Sequence, residues 1–397
     1  MTVPTSTRKY DLPITRTVFG PEEAAAIQEP LASGWIVQGP RVADFERKFS
    51  AYTGAAHSVA ASSCTTALHL AVKALGLAPG DEVIVPAFTW VSTANVIEYE
   101  GAKPVFCDVD LATFNIDAEQ AASLVTERTV GILPVHLFGL CADMPAVARL
   151  AEKHGLWVVE DAACAFGGWI GERHAGTFGD AGCFSFHPRK SITTGEGGMV
   201  TTADDRLALA CRGLRDHGAT RSDHQRHHGP AAFLLAEYPV VGFNYRMTDI
   251  QGALGSAQMD RADTILERRR AIAAAYDERL GGVEWLAAPV VPRGYTHGYQ
   301  SYVTLFRPEE PTLRNVGALH DRRNALMMRL EGMGISTRQG THAPVLLEVY
   351  REKYGLRPDC FPNAVLADRL SLTLPVAAQM TAADVDAVVE ELQANVG

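Results

Sequence analysis

The sequence predicts an α/β fold with a large, mostly parallel sheet domain followed by a smaller α+β domain. Three observations carry this. Short β-rich runs alternate with helical stretches between residues 57 and 203. Several runs are apolar almost throughout, as in Val83-Ile84-Val85 and Val158-Val159, which suits strands covered on both faces. After residue 250 the character changes to long charged helices with short strand-like runs between them.

In chain order, the expected strands are His57–Ser62, Glu82–Pro86, Pro104–Asp108, Thr129–His136, Trp157–Glu160, Gly182–His187 and Gly198–Thr202. Helices are expected between them at Thr65–Leu75, Thr93–Tyr99, Ala118–Leu124 and Met144–His154. Beyond residue 250 the clearest helices are Ile265–Leu280 and Asn324–Gly332. The last one starts at an N-cap, Thr381, with Asp384 three residues on and an apolar stripe of Val385, Val388, Val389 and Leu392. Residues 1–250 therefore read as the large domain with an N-terminal arm, and residues 251–397 as the small one.

Composition narrows the function. Of 397 residues, 47% are hydrophobic and 21% charged, which describes a well-packed globular chain. The net charge of −10 argues against nucleic acid or a membrane surface as the main partner. Seven cysteines are scattered singly without a C-x-x-C pair, so neither a disulfide framework nor a structural zinc site is expected, and a reducing cytoplasm fits. The N-terminal residues lack the apolar core of a signal peptide, and no run of 18 apolar residues occurs.

Open parallel sheets bind ligands beyond the carboxyl ends of their strands. Ser62-Ser63-Cys64-Thr65-Thr66 leads from one strand into a helix, where free N–H groups and the positive dipole end suit a phosphate; helix capping explains the same residues. Pro86-Ala87-Phe88-Thr89-Trp90 puts aromatic rings where a flat heterocycle could stack, or where a core needs filling. Glu160-Asp161 closes an apolar strand with two carboxylates, and Asp161 is costly there without a cation, a hydrogen-bond network, a protonated ligand nitrogen or a capping role. Lys190 follows the run Cys183–His187 and precedes the flexible Gly195-Glu196-Gly197-Gly198. That is how a Schiff-base lysine is presented, since partial burial frees its lone pair. A lysine, an acid, a stacking ring and a phosphate cup, each on a different strand end, are what pyridoxal phosphate needs.

The same segments resemble the DegT/DnrJ/EryC1/StrS sugar aminotransferases, which have the fold type I architecture of pyridoxal-phosphate enzymes. The similarity runs from Ser33–Pro40 through Ser63–His69, Pro86–Trp90, Pro134–Leu137, Glu160–Ala163, Phe184–Lys190 and Gly195–Gly198 to Gly242–Met247, in the family's order and across nearly the whole chain. The resemblance implies that Lys190 carries the cofactor as a Schiff base and that Asp161 pairs with its pyridinium nitrogen. It implies that Trp90 stacks on the ring, and that Thr65, Thr66 and Ser185, with Ser63 and Cys64 beside them, hold the phosphate. Asn244 would reach the cofactor phosphate of a neighbouring subunit, which implies a homodimer with shared active sites. One position departs from the family, which usually has Gln or His near the cofactor's phenolic oxygen: here it is Cys164, a poorer hydrogen-bond donor.

The implied reaction moves an amino group from L-glutamate to a ketone through the pyridoxal and pyridoxamine forms of the cofactor. Relatives that dehydrate sugars carry histidine where Lys190 stands, and regulators with this fold carry a DNA-binding module that no basic segment before residue 20 supplies. His224, His227 and His228 sit in a polar loop and read as solvated rather than as a metal site, so no metal is expected. In the family this loop borders the substrate entrance, which makes Arg221 and Arg226 candidates for a nucleotide diphosphate. The runs around Lys190 are similar to the branch that acts on 4-keto nucleotide sugars. A nucleotide-linked 4-keto-6-deoxyhexose is therefore the expected acceptor, with His187 or His342 near the sugar; 3-keto sugars and keto-inositols are the rivals.

Overall fold

In a computed structural model, which describes residues 9–222 and 235–395, the seven-stranded central sheet has the order β1-β9-β8-β5-β4-β2-β3. Its strands are β1 (His57–Ala61), β2 (Glu82–Pro86), β3 (Lys103–Cys107), β4 (Thr129–Ile132), β5 (Trp157–Asp161), β8 (Ala181–Ser185) and β9 (Gly198–Thr202). Strands β3, β2, β4, β5 and β8 are parallel, whereas β9 runs against both of its neighbours. The reason lies between β8 and β9. Residues 186–197 contain no helix to carry the chain back across the sheet, so it simply reverses.

Side chains alternate between two covered faces, as fully buried parallel strands require. Val83 and Val85 face a core with Leu68, Val159 and Val200, while Ile84 faces another with Ile132, Val147, Leu150 and Val158. A third cluster centres on Phe45, Phe49, Phe184 and Phe186; the Phe49 ring meets Phe184 edge-on at 4.9 Å.

Several expected bounds need correction: the helix expected at Ile265–Leu280 starts at Ala262, and the strand expected at Gly182–His187 runs over Ala181–Ser185. The strand expected at Thr129–His136 stops at Ile132, because Pro134 has no N–H for the ladder, and only a bridge from Val135 to Asp161 continues it. The helix expected at Asn324–Gly332 spans Val316–Met333. Leu319, Leu326 and Leu330 form its buried stripe, and buried Arg323 donates to the Ser371 carbonyl at 2.7 Å. The helix after β1 starts at Cys64, because Ser63 caps it by accepting from the Thr66 N–H.

Two smaller sheets complete the chain. One pairs β6 (Trp169–Ile170) with β7 (Arg173–His174) and β11 (Tyr295–Thr296); the other joins β10 (Leu286–Ala287), β12 (Tyr302–Phe306) and β13 (Ser371–Leu374). The C-terminal part docks on the strand ends of the central sheet. Asp108, just past β3, accepts from the Asn363 and Ala364 N–H groups at the start of the helix Pro362–Leu370, and the Thr89 N–H donates to the His342 carbonyl at 2.9 Å. The arm pairs with the same part, Leu12 N–H to the Gly334 carbonyl at 3.0 Å.

Candidate active site

Four segments meet beyond the carboxyl ends of β1, β2, β5 and β8. Asp161 ends β5, and its backbone is held on both sides: its N–H donates to the Pro134 carbonyl at 2.8 Å and its carbonyl accepts from the His136 N–H at 3.0 Å. Its side chain is buried, with Oδ2 accepting from the Thr93 hydroxyl at 2.8 Å and Oδ1 from the Ala163 N–H at 3.2 Å. Burial pushes the Asp161 carboxyl above its ordinary value; Thr93, Ala163 and the charge of Lys190 work against that without cancelling it.

Glu160, its neighbour, has another task. One oxygen accepts from the Phe178 and Gly179 N–H groups, both at 2.6 Å, and the other from the Gly176 N–H at 2.8 Å and His136 Nε2 at 2.7 Å. His136 Nδ1 accepts from the Ala142 N–H at 3.0 Å, which fixes the tautomer that donates from Nε2. Of the two carboxylates, Glu160 holds a loop and Asp161 faces the site.

Lys190 sits in the reversal between β8 and β9. The base of that loop is closed by the Phe186 N–H to the Gly197 carbonyl at 2.9 Å and the Thr194 N–H to the Phe186 carbonyl at 3.0 Å; the Lys190 N–H donates to the His187 carbonyl at 2.8 Å. The lysine is half-buried, and its Nζ donates to Cys164 Sγ at 3.0 Å. Burial disfavours the ammonium, but Cys164, Cys64 and Asp161 outweigh burial and hold the Lys190 pKa above its ordinary value. His187, half-buried on the same loop, has its pKa lowered by burial.

The helix that starts at Cys64 brings its N-terminus beside β8, where Cys64 Sγ donates to the Cys183 carbonyl at 3.7 Å. The Thr66 hydroxyl is engaged with Ser63, accepting from the Ser63 N–H at 3.0 Å and donating to its carbonyl at 2.8 Å, whereas the Thr65 hydroxyl has no partner among the described residues. Gly198 makes the approach possible, since a Cβ there would stand 2.2 Å from the Ser63 carbonyl oxygen. Ser185 pairs with Gly198 across β8 and β9, so it lies on the same side of the cup. Cys64 is buried, and burial raises its thiol pKa.

Trp90 projects beyond β2, 55% exposed, with its ring 5.7 Å from that of His342. Asn244 is exposed, and the adjacent Tyr245 carbonyl accepts from the Ser62 N–H at 2.8 Å, which sets Asn244 beside the Ser62-Ser63 turn. Arg221 is exposed, and no hydrogen bond or ion pair among the described residues joins it to Lys190, Asp161 or Trp90. Arg226, His224, His227 and His228 lie outside the described residues. Thr93 went unnoticed in the sequence. Two threonines, Thr89 and Thr93, close behind an apolar strand were the local signal, although with Thr89 outside the helix Ser92–Tyr99 their spacing alone does not bring the hydroxyls together.

This donor set fits pyridoxal phosphate. A buried carboxylate whose hydrogen bonds among the described residues come from the neutral Thr93 and Ala163 donors suits a protonated ring nitrogen, and a hydroxyl at a helix N-terminus that is free among those residues suits a phosphate. An amine lies on the same cleft to meet an aldehyde.

The family model of the DegT/DnrJ/EryC1/StrS aminotransferase family matches residues 18–393. The chain is 38% identical over 390 residues to the spore coat polysaccharide biosynthesis protein SpsC of Bacillus subtilis, covering 97% of each chain. It is 38% identical over 368 residues to the GDP-perosamine synthase of Caulobacter vibrioides, covering 92% of this chain and 93% of that one. Among solved structures, the PLP form of the sugar aminotransferase Spr1654 from Streptococcus pneumoniae superposes with a TM-score of 0.88 at 28% identity, covering 98% of this chain and 99% of that one. By the extent of these matches, on an α/β fold that places an amine, a buried carboxylate and a helix N-terminus around one cleft, the chain belongs to the DegT/DnrJ/EryC1/StrS aminotransferase family.

Proposed function

We propose that the protein is a pyridoxal-phosphate-dependent aminotransferase that moves an amino group from L-glutamate to a keto sugar, and that its acceptor is a nucleotide-linked 4-keto-6-deoxyhexose. The observation that carries this reading is the hydrogen bond of Lys190 Nζ to Cys164 Sγ, three residues beyond the buried Asp161 carboxylate that ends β5. Solved relatives in both PLP and PMP forms support the cofactor, and the relative that makes GDP-perosamine supports a nucleotide-linked amino sugar. A cytoplasmic setting belongs to this proposal on the ground that seven singly scattered cysteines suit a reducing compartment.

When bound, the cofactor supplies an aldehyde and an electron-withdrawing ring that stabilises negative charge at the substrate carbon. Lys190 would hold the cofactor's aldehyde and, as a free amine, would carry the proton that leaves the donor's α-carbon. Asp161 would keep a proton on the ring nitrogen. Thr65, Ser185 and the N–H groups of the helix start hold the phosphate, and Trp90 covers the ring. Asn244 completes the phosphate site of a second copy, so the working unit is a homodimer.

Purified protein loaded with pyridoxal phosphate should be yellow, and L-glutamate should bleach it. Colour should then return with the correct ketone from a panel of dTDP-, UDP- and GDP-linked 4-keto sugars, 3-keto sugars and keto-inositols. Return with keto-inositols alone would overturn the nucleotide-sugar reading, and return with a 3-keto sugar alone would remove the regiochemistry. Multiple turnover by Lys190→Ala would sink the lysine assignment.

A further inference from the structure

We propose that Thr93 and Thr89 are positioning residues: a two-hydroxyl relay that fixes the carboxylate of Asp161 and ties it to the C-terminal part of the chain. The proposal rests on the reading above, in which Asp161 meets the ring nitrogen of pyridoxal phosphate.

The direction of the relay follows from what each group can do. An ionised carboxylate only accepts, so the Thr93 hydroxyl, 2.8 Å from Asp161 Oδ2, must spend its proton there. Thr89 Oγ1 lies 2.9 Å from Thr93 Oγ1, and with the Thr93 proton committed, Thr89 is the donor. Both threonines are fully buried, so water does not stand in for either bond. The far end is anchored as well. The Thr89 N–H donates to the His342 carbonyl at 2.9 Å, and the next residue, Ala343, donates its N–H to Asp368 Oδ1 at 2.9 Å. Asp368 also accepts from Gln339 Nε2 at 3.1 Å, so the His342 segment is held on both sides of its isolated bridge to Thr89.

The relay acts on Asp161 in two ways. It fixes the side-chain rotation, because among the described residues Oδ1 has only the longer 3.2 Å bond from the Ala163 N–H. It also stabilises the ionised carboxylate against burial. Without the Thr93 hydroxyl, Asp161 becomes the stronger base, draws the proton off the ring nitrogen and weakens the electron sink. Valine has the shape of threonine without the donor, so Thr93→Val removes the bond and leaves Oδ2 unpaired.

The test uses the holoenzyme loaded with pyridoxal phosphate labelled with nitrogen-15 in the ring, whose chemical shift reads protonation directly. Wild type should show a protonated nitrogen. Thr93→Val should move the signal toward the neutral form and weaken cofactor retention about tenfold, and Thr93→Ser should restore both. Thr89→Val should shift the signal less, and Thr89→Val/Thr93→Val should match Thr93→Val alone, because a relay is not additive. A merely structural role would lower the melting temperature and leave the signal in place. If wild type takes up the cofactor with a protonated nitrogen and Thr93→Val shows the same, the relay is overturned and the cofactor reading stands; an unchanged signal in Thr89→Val removes Thr89 from it. If wild type takes up no cofactor, the underlying reading falls and the relay with it.

Discussion

The Lys190 ammonium donates a hydrogen bond to the sulfur of Cys164 across 3.0 Å, at the position where the family resemblance implies Gln or His. Burial alone lowers a lysine pKa; here the thiol side chain, with Cys64 and Asp161, turns the balance upward. The neutral amine is the form that captures an aldehyde. Cys164→Ala removes the hydrogen-bond partner and leaves burial opposed by Cys64 and Asp161 alone, so the Lys190 pKa falls and the amine becomes available at lower pH. The pH profile of cofactor uptake by the apoprotein, followed at the visible band, should move toward acid in Cys164→Ala. A profile that stays in place or moves toward base would show that Cys164 does not hold the Lys190 proton.

Glu160 is the acceptor of four donors and is fully buried. Glu160→Gln keeps its shape but turns an NH2 toward N–H groups that need an acceptor, whichever way the amide faces. The cost should be about 3 to 5 kcal/mol, the range for an unpaired partner in a buried charged network. A urea titration should show the midpoint falling with an unchanged slope, and cofactor retention should fall with it because Glu160 and Asp161 share one strand end. An unchanged midpoint would mean that the loop at 176–179 does not depend on this carboxylate.

The central strands and most of the large-domain helices were legible because their signal is local: apolar runs of strand length, bounded by turn residues and followed by amphipathic stretches. The direction of β9 was not, because direction depends on whether the connection crosses the sheet, and the run around Lys190 shows its chemistry more plainly than its path. Pro134 was a readable stop for β4. At the site, Asp161 and Lys190 stood out because a buried charge is costly and therefore conspicuous. Thr93 did not, since a threonine at a helix start is ordinary capping chemistry until a carboxylate from β5 is brought to 2.8 Å. Glu160 and Asp161 are adjacent and alike in sequence; only the fold, by turning alternate side chains to opposite faces, gives one a loop and the other the cleft.

Asn244 is exposed in the single chain, although its neighbour Tyr245 is pinned to the Ser62 N–H. Asn244→Ala should therefore leave the melting temperature of the apoprotein within about 1 kcal/mol equivalent of wild type. In the proposed dimer it should weaken cofactor retention, read by dialysis against buffer. Sedimentation should show wild type as a dimer. A fully active monomer would sink the shared-site proposal, and unchanged retention in Asn244→Ala would remove the residue from it.

Acid stability should depend on Glu82, which begins β2 with its side chain almost wholly covered. Burial acts to raise its pKa, but hydrogen bonds from Thr126 at 2.7 Å, Arg128 at 2.7 Å and Lys103 at 3.2 Å prevail and bring it down to about 2. A folded-state pKa below the unfolded value means that the unfolded chain binds the proton first. The stabilisation is therefore fully present above the ordinary value of 4.5 and is lost as pH falls toward about 2. Arg128 and Lys103 are 67% and 47% exposed, so solvent screens much of their attraction and the contribution is about 1 to 3 kcal/mol. Glu82→Gln should lower the melting temperature at neutral pH, with the gap to wild type narrowing between pH 4.5 and about 2. A gap that stays constant through that window would show that the loss comes from packing and not from the charge.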